Sequence, residues 1–406
     1  MKKEFLNHIN KLLGIPDLVV KSLESNEKIV IVDCECIEES SCPHCGHEKL
    51  ERYKGKNKQI RHLDACGRRC HLRFRHSSYR CKKCGLHFIT QLSFLNLTKH
   101  YTDHFVKQVV DTARGSSLAQ TSELLGEPYS NIERMYYSYL LQEDSEQKPN
   151  WQAENIGIDE IAMKKGHNHF ILIIYDLDKG QVLDILKDRK KTTLEKYLKK
   201  LPQEILDAIK SVCIDMWKPY RDCLKEVISG VIIVVDRFHV AKELGKAVDK
   251  TRKELQKQGK FDKLTGEERK KLYWAVRYSE QTLSKKPEYK KILKKAVDLC
   301  PELGLAIELR NEFKAIFDLK RPDIAEKRLS NWLRRVTCSK IAPLVRFLKT
   351  FRNWRTWIMH FFPHRYTNAA AEGMNNKIKL IKRLGFGFES FDHFRLRLLH
   401  TCGSLG

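Results

Sequence analysis

Helical and strand-like spacings of apolar residues alternate along the chain in blocks, and each block predicts its own elements. In the opening "MKKEFLNHINKLLG", Glu4, His8, Asn10 and Lys11 interrupt the apolar positions, as in an amphipathic helix. Further on, "HLRFRHSSYRC" alternates Leu72 and Phe74 with basic residues, the period of a strand. Helical spacing returns in "DHFVKQVVDTARGSSLAQTSELLGEPYSNIERMYYSYL" and predicts three helices. These cover roughly 103–113, then 117–125 ending at Gly126, then a helix that follows Pro128, is capped near Ser130 and runs to about 141. A polar linker, "QEDSEQKPNW", comes next.

From Asn155 the texture changes to short apolar runs. "IGIDEIAMKK" reads as a strand followed by a "KKGHN" turn, and "HFILIIYDLDKG" and "QVLDILKD" complete a meander. Helix "TTLEKYLKKL", strand "SVCIDM", helix "KPYRDCLKEVI", strand "VIIVVD" and the long helix "FHVAKELGKAVDKTRKELQKQ" follow. This βββαβαβα order, an antiparallel meander feeding parallel strands, matches the ribonuclease-H-like fold. Residues 259–362 then read as helical throughout. In them Trp354, Trp357, Phe361 and Phe362 interleave with Arg352 and Arg355; helical spacing favours packed core over base stacking for these rings. The last block, "TNAAAEGMNNKIKLIKR", predicts a helix capped by Asn368 with Gly385 just past a basic last turn. Met374, Ile378 and Ile381 share its core face, while Glu372, Asn375, Asn376, Lys379 and Arg383 lie on the opposite side.

The expected class is therefore multidomain α+β, with a ribonuclease-H-like α/β core interrupted by a helical insertion. The expected divisions are 1–37 (helix and strands), 38–95 (zinc-binding), 96–150 (helix-turn-helix), 151–258 (core, first part), 259–362 (insertion) and 363–406 (core, second part). A 406-residue chain needs several such pieces.

Charge narrows the partners. The chain carries 76 Lys and Arg against 51 Asp and Glu, a net +25, which points to a polyanion. No apolar run approaches the roughly 18 residues of a bilayer span, and no export signal is read at the start. Thiols are thus expected to stay reduced in the cytoplasm, where paired cysteines favour metal over disulfides.

Eight of thirteen cysteines fall between Cys34 and Cys84. "CPHCG" (Cys42, Cys45) and "CKKCG" (Cys81, Cys84) are two knuckles that together complete a tetrahedral, structural Zn²⁺ site. Their 35-residue separation exceeds ordinary ribbon spacing, so an additional structure must fill it. Cys66 and Cys70 form a second pair, and His44, His47, His62, His71 and His87 are nearby; for Cys34, Cys36, Cys66 and Cys70 the plain alternative is small buried residues. In the three-helix block, a helix ending in Leu-Gly before a polar-fronted helix is the layout of a helix-turn-helix, which would offer Ser130, Asn131 and Arg134 to a major groove.

Asp159 lies in the apolar "IGIDEI" and Asp215 ends the apolar "SVCID". On the first and fourth strands of this order they would approach one another, and a hard divalent ion, Mg²⁺ or Mn²⁺, would relieve their repulsion. A turn or cap role is the competing reading, above all for Asp215 ahead of "KPY". Glu372 supplies a third carboxylate from the terminal helix, beside cations suited to phosphates.

"IGIDE", "CIDMWKPY", "VVDRFHV" and "AEGMNNKIKLIKRLGFGFESFDHFRLRLL" resemble the motifs of DDE transposases from bacterial insertion sequences, nearest the ISL-three group. The resemblance spans nearly the whole chain, since that group also carries an N-terminal zinc finger and a helix-turn-helix. It implies a triad of Asp159, Asp215 and Glu372 holding two Mg²⁺ or Mn²⁺ ions, with Asp236 and His239 of "DRFH" as auxiliary residues. The approach "TNAAAEG" departs from the family's Arg-Ser-Asn-like entry to the acid. It further implies double-stranded DNA as partner, at transposon ends and target, gripped through Asn375, Asn376, Lys377, Lys379, Lys382 and Arg383. The zinc and helix-turn-helix modules would read terminal inverted repeats, a homodimer would pair two ends, and the protein would work at the bacterial nucleoid. A DNA-binding regulator, or a nuclease without strand transfer, built on the same scaffold are the rival readings.

Overall fold

The computed structural model describes residues 2–146, 151–163, 170–367, 369–385, 388, 390–403 and 405, with side chains for all of these but 2, 3, 146 and 369–372. The expected 164–168 turn and the Asn368 cap lie outside them. The chain divides into two compact units: Met1–Lys148 with Ile381–Thr401 and Leu405–Gly406, and Pro149–Leu380 with Cys402–Ser404.

The first unit starts with α1 (Lys2–Leu13), β1 (Leu18–Ser25), β2 (Ile29–Cys36), β3 (Leu50–Ala65), β4 (Arg68–Cys81) and β5 (His87–Ile89). Four strands pair in the order β1-β2-β4-β3, with β5 added to β4. The strand β2 runs parallel to β4, with Val32 opposite Leu72. Alternate residues of both point into one core of Val30, Val32, Cys70, Leu72 and Phe74, closed by Leu92 and Phe94. The sequence reading set residues 1–37 apart from 38–95; here the two segments share one sheet, and 1–37 carry half of its apolar core.

Three helices follow in the same unit: α2 (Asp103–Gly115), α3 (Leu118–Leu125) and α4 (Tyr129–Glu146). Ser117 and Gln120 form a capping box at the start of α3, and Gly126 ends it in the left-handed region at φ 62°. The Gly126 carbonyl accepts Arg69 Nη2 from β4 at 2.7 Å, tying the helix turn to the sheet. The segment "QEDSE", expected in a linker, instead extends α4 to Glu146, since Gln and Glu sustain a helix until Pro149 approaches.

The second unit holds β6 (Asn155–Ala162), β7 (Phe170–Asp176), β8 (Gln181–Leu186), β9 (Ser211–Ile214) and β10 (Ile232–Val235). Their order is β10-β9-β6-β7-β8. Strands β6, β7 and β8 form an antiparallel meander, while β9 and β10 run parallel to β6. The first strand is thus central and the fourth lies beside it. Helices α5 (Lys191–Leu198), α6 (Gln203–Ala208) and α7 (Lys218–Val227) bury Ile156, Ile158, Ile174, Val212 and Ile214.

The long α8 (Arg237–Lys257) leads into the insertion: α9 (Gly266–Ala275), α10 (Glu280–Ser284), α11 (Pro287–Leu299), α12 (Pro301–Asp318), α13 (Pro322–Ser339), α14 (Ala342–Met359) and α15 (Phe361–His364). Its core joins Val234 and Val235 of β10 to Leu244, Phe313, Trp332 and Phe351. Trp354, Phe361 and Phe362 are buried in that core, while Trp357 packs at its edge under the Arg221 guanidinium, 4.5 Å from the ring. Packing, not base stacking, occupies this aromatic run.

The chain ends in α16 (Ala369–Leu384) and α17 (Phe391–Cys402). Residues 363–406 were expected to complete the core, yet 381–401 group with the first unit. There Arg397 donates to the carbonyls of Ala113 and Ser116 at the end of α2 and stacks on Tyr136. A buried guanidinium with those partners holds α17 to the helical part of that unit.

Candidate active site and zinc centre

The two cysteine knuckles meet because β3 and β4 form one long hairpin that pairs Leu50 with Cys81. That hairpin fills the gap between the knuckles. Its tip, Cys66-Gly67, has both residues at positive φ, 52° and 73°, as a tight two-residue turn requires. Each knuckle closes identically: Gly46 N–H donates to the Cys42 carbonyl and Gly85 N–H to that of Cys81. Both glycines adopt positive φ, 68° and 73°, which a β-carbon would strain.

The sulfurs of Cys42 and Cys84 are 3.7 Å apart and those of Cys45 and Cys81 3.6 Å. Tetrahedral zinc with Zn–S bonds of about 2.3 Å needs sulfurs roughly 3.8 Å apart. The four cysteines therefore fit structural Zn²⁺ and leave no ligand position for water. Cys66 is exposed at the hairpin tip, whereas Cys34 and Cys70 are buried in the sheet core.

In the second unit, Asp215 and Asp236 directly follow the parallel strands β9 and β10, while Asp159 lies within β6, two residues past its last pairing with β9. Gly157 pairs with Cys213, and Val235 pairs with Ile214. Those registers bring Asp215 and Asp236 next to each other at the carboxyl ends of β9 and β10, where open α/β sheets gather ligands, and leave Asp159 on β6 close enough for its charge to act on Asp215. Asp236 is 1% exposed, caps α8 through the Phe238 N–H, and accepts from His239 Nδ1 at 3.1 Å. The same nitrogen lies 2.7 Å from Asp215 Oδ1. One ring nitrogen thus faces both carboxylates and is the nearest donor to each.

Charge is crowded here. Burial raises the pKa of Asp215; His239 counters it, and the Asp159 and Asp236 charges add to it. Burial opposes a charged His239 ring, but the two carboxylates prevail and push its pKa up to about 10. Ligand atoms of Asp215, Asp236 and His239 lie within 4.8 Å of one another. Two carboxylates and an imidazole gathered this closely are a donor set that a divalent cation fits.

Asp159 is fixed from the far end of the chain. Its Oδ2 accepts the Asn375 side-chain N–H at 2.7 Å, and the Asn375 oxygen accepts the buried Tyr175 hydroxyl at 2.5 Å. Sequence reasoning assigned Asn375 to DNA; its amide is engaged with the aspartate instead. It missed Tyr175 altogether, although a hydroxyl inside "FILIIY" signals a buried partner. The Glu372 side chain lies outside the described residues, while its backbone is part of α16. Asn375 lies three positions further on, so the two positions share a helix face about 4.5 Å apart along the axis.

The remaining predicted contacts are dispersed. Asn376, Lys379 and Arg383 are exposed on α16, and Lys382 is half-buried. Ile378 and Ile381 are buried on its core side. Ser130 and Arg134 are exposed at the start of α4, whereas Asn131 donates to the Tyr101 hydroxyl and accepts from Arg134.

Residues 156–398 match the family described as Transposase, the ISL3 type of DDE enzymes. The chain belongs to the ISL3 family of DDE transposases. Residues 38–84 of this transposase also match the zinc-finger of transposase IS204/IS1001/IS1096/IS1165, the segment that holds the cysteine cluster. It is similar to the transposase for insertion sequence element IS1001 of Bordetella parapertussis, 24% identical over 88% of this chain and 87% of that protein. It is also 24% identical to the transposase for insertion sequence element IS1557 of Mycobacterium tuberculosis, over 58% of this chain and 57% of that one. Among the described residues, no helix is long and apolar enough to cross a membrane.

Proposed function

We propose that this transposase binds the terminal inverted repeats of its insertion sequence, cuts the DNA there and joins the freed 3′ ends to target DNA. The observation that carries the proposal is the hydrogen bond from Asn375 to Asp159. It ties the helix that bears Glu372 to Asp159 on the central strand, which supports a site shared with Asp215 on the neighbouring one. The strand order β10-β9-β6-β7-β8, with its meander and parallel pair, supports a ribonuclease-H-like core interrupted by the 259–362 insertion.

Asp159, Asp215 and Glu372 would hold two Mg²⁺ or Mn²⁺ ions, with Asp236 and His239 behind them. Such ions supply a deprotonated attacking oxygen and charge neutralisation on the leaving oxygen. The protein's own groups do the rest. Tyr175 and Asn375 set the orientation of the Asp159 carboxylate, and Asp236 orients the His239 ring toward Asp215. Cations on the exposed side of α16, Lys379 and Arg383 among them, would grip the DNA backbone next to the cut. Zinc would fix the hairpin that braces a helix-turn-helix of α2–α4, whose Ser130 and Arg134 would meet the DNA, and two copies would pair the two ends.

The test is the full-length protein with Mg²⁺ and labelled transposon-end DNA. Nicking followed by joining is expected. Nicking alone would indicate a nuclease, and binding without cleavage a regulator; either would overturn the proposal.

A further inference from the structure

One face of α8 is a line of lysines: Lys242, Lys246, Lys250, Lys253 and Lys257 recur at helical spacing over about 22 Å of axis. It opens into a groove of about 920 Å³, walled on the other side by Arg277, Arg310, Phe313 and Lys314. Half of the sixteen lining residues are Lys or Arg, and only Asp249 and Asp318 are acids. A second hollow of about 750 Å³ continues it past Lys253, with Arg269, Lys270, Tyr273 and Trp274 along its wall. The acidic cluster lies at one end, because Phe238, which lines the groove, is two residues from Asp236.

Charge alone would suit any polyanion, but the aromatic residues narrow the choice. Phe238 is 44% exposed and Trp274 50%, one at each end of the lysine line. A large exposed ring in a basic groove has no apolar core to serve. Duplex DNA stacks its bases on one another, so such rings gain contact only from unpaired bases, at roughly 1–3 kcal/mol each. Gly245 adds a third sign. A glycine inside a helix costs about 1 kcal/mol against alanine, and here nothing lies within 4 Å of an added β-carbon. Its small size leaves the groove floor open to an incoming chain.

We infer that this groove is a track for single-stranded DNA, which holds the unpaired strand leading away from the Asp159–Asp215 site and stacks its bases on Phe238 and Trp274. The inference rests on the cleavage reading above for its purpose, but its binding test does not.

The experiment measures binding of full-length protein to a dye-labelled single-stranded oligonucleotide and to the matching duplex, by fluorescence anisotropy without divalent metal. Phe238→Ala and Trp274→Ala are each expected to weaken single-strand binding roughly 5- to 100-fold while leaving duplex binding within about two-fold. The double variant Lys242→Gln/Lys250→Gln should lower the slope of log affinity against log salt for the single strand by about 1.4. Gly245→Leu, which fills the groove without changing charge, should weaken the single strand alone, with thermal unfolding unchanged or raised. Single-strand affinity within about two-fold of the native protein in all three uncharged variants would overturn the inference, as would equal losses on single strand and duplex. Because no metal is present, a protein that never cleaves still reports on the track, so the two readings fail separately.

Discussion

The side-chain amide of Asn375 donates to Asp159 across 2.7 Å and 216 positions of sequence. It joins the last helix of the second unit to its central strand. Asn375→Ala removes the donor that orients the carboxylate, and outer partners of this kind are worth roughly 10- to 100-fold in activity. We expect that loss in end cleavage with DNA affinity unchanged, measured as initial cleavage rate beside gel-shift affinity. Tyr175→Phe, which only frees the amide oxygen, should cost less, about five-fold for one hydrogen bond.

Asp215→Asn should separate stability from chemistry. Burial and the neighbouring Asp159 and Asp236 charges disfavour its carboxylate in the folded protein. A neutral isostere relieves that repulsion, so the metal-free variant should melt higher than the native protein while cleavage is abolished. A lower melting temperature would mean that His239 stabilises the charged acid more than its neighbours oppose it.

The proposed zinc ligand set divides the cysteines sharply. Cys42→Ser or Cys81→Ser should lower bound zinc below one per chain, by elemental analysis, and weaken end binding. Cys66→Ser, at the exposed hairpin tip, should leave zinc unchanged. Cys70→Ser should also keep the metal but destabilise the sheet, because its hydroxyl would be buried in the core of Val32 and Leu72.

Acid should weaken the first unit through two histidines. Burial lowers His62, with His104 adding to it, and lowers His400, with Arg114 and Arg397 adding; each falls to about 4 from 6.5. Both are depressed in the folded state, so the stability is intact above the unfolded value of about 6.5 and is lost as pH falls toward 4. Each can contribute up to about 3 kcal/mol. Denaturant unfolding at about pH 7 and pH 5 should show the loss, and His400→Gln should flatten it.

Local patterns made much of this legible. Cysteine spacing marked the four thiols that the fold gathers, period-two and period-3.6 runs gave the strands and helices, and apolar flanks singled out Asp159 and Asp215. Long-range pairing stayed hidden. The parallel match of Val32 with Leu72, which fuses residues 1–37 to the zinc-binding strands, leaves no periodic trace. Nor does the docking of Arg397 on the end of α2, which takes 381–401 into the first unit. Asn375 was placed on the right face of its helix, but an amide gives no sign in sequence of whether it will meet phosphate or carboxylate.

Metal-switch rescue tests the proposed three-acid site most directly. Cysteine in place of Asp159, Asp215 or Glu372 should abolish end cleavage in Mg²⁺ and recover part of it in Mn²⁺, which tolerates the softer ligand. Full cleavage by Glu372→Cys in Mg²⁺ would contradict a site built from those three residues.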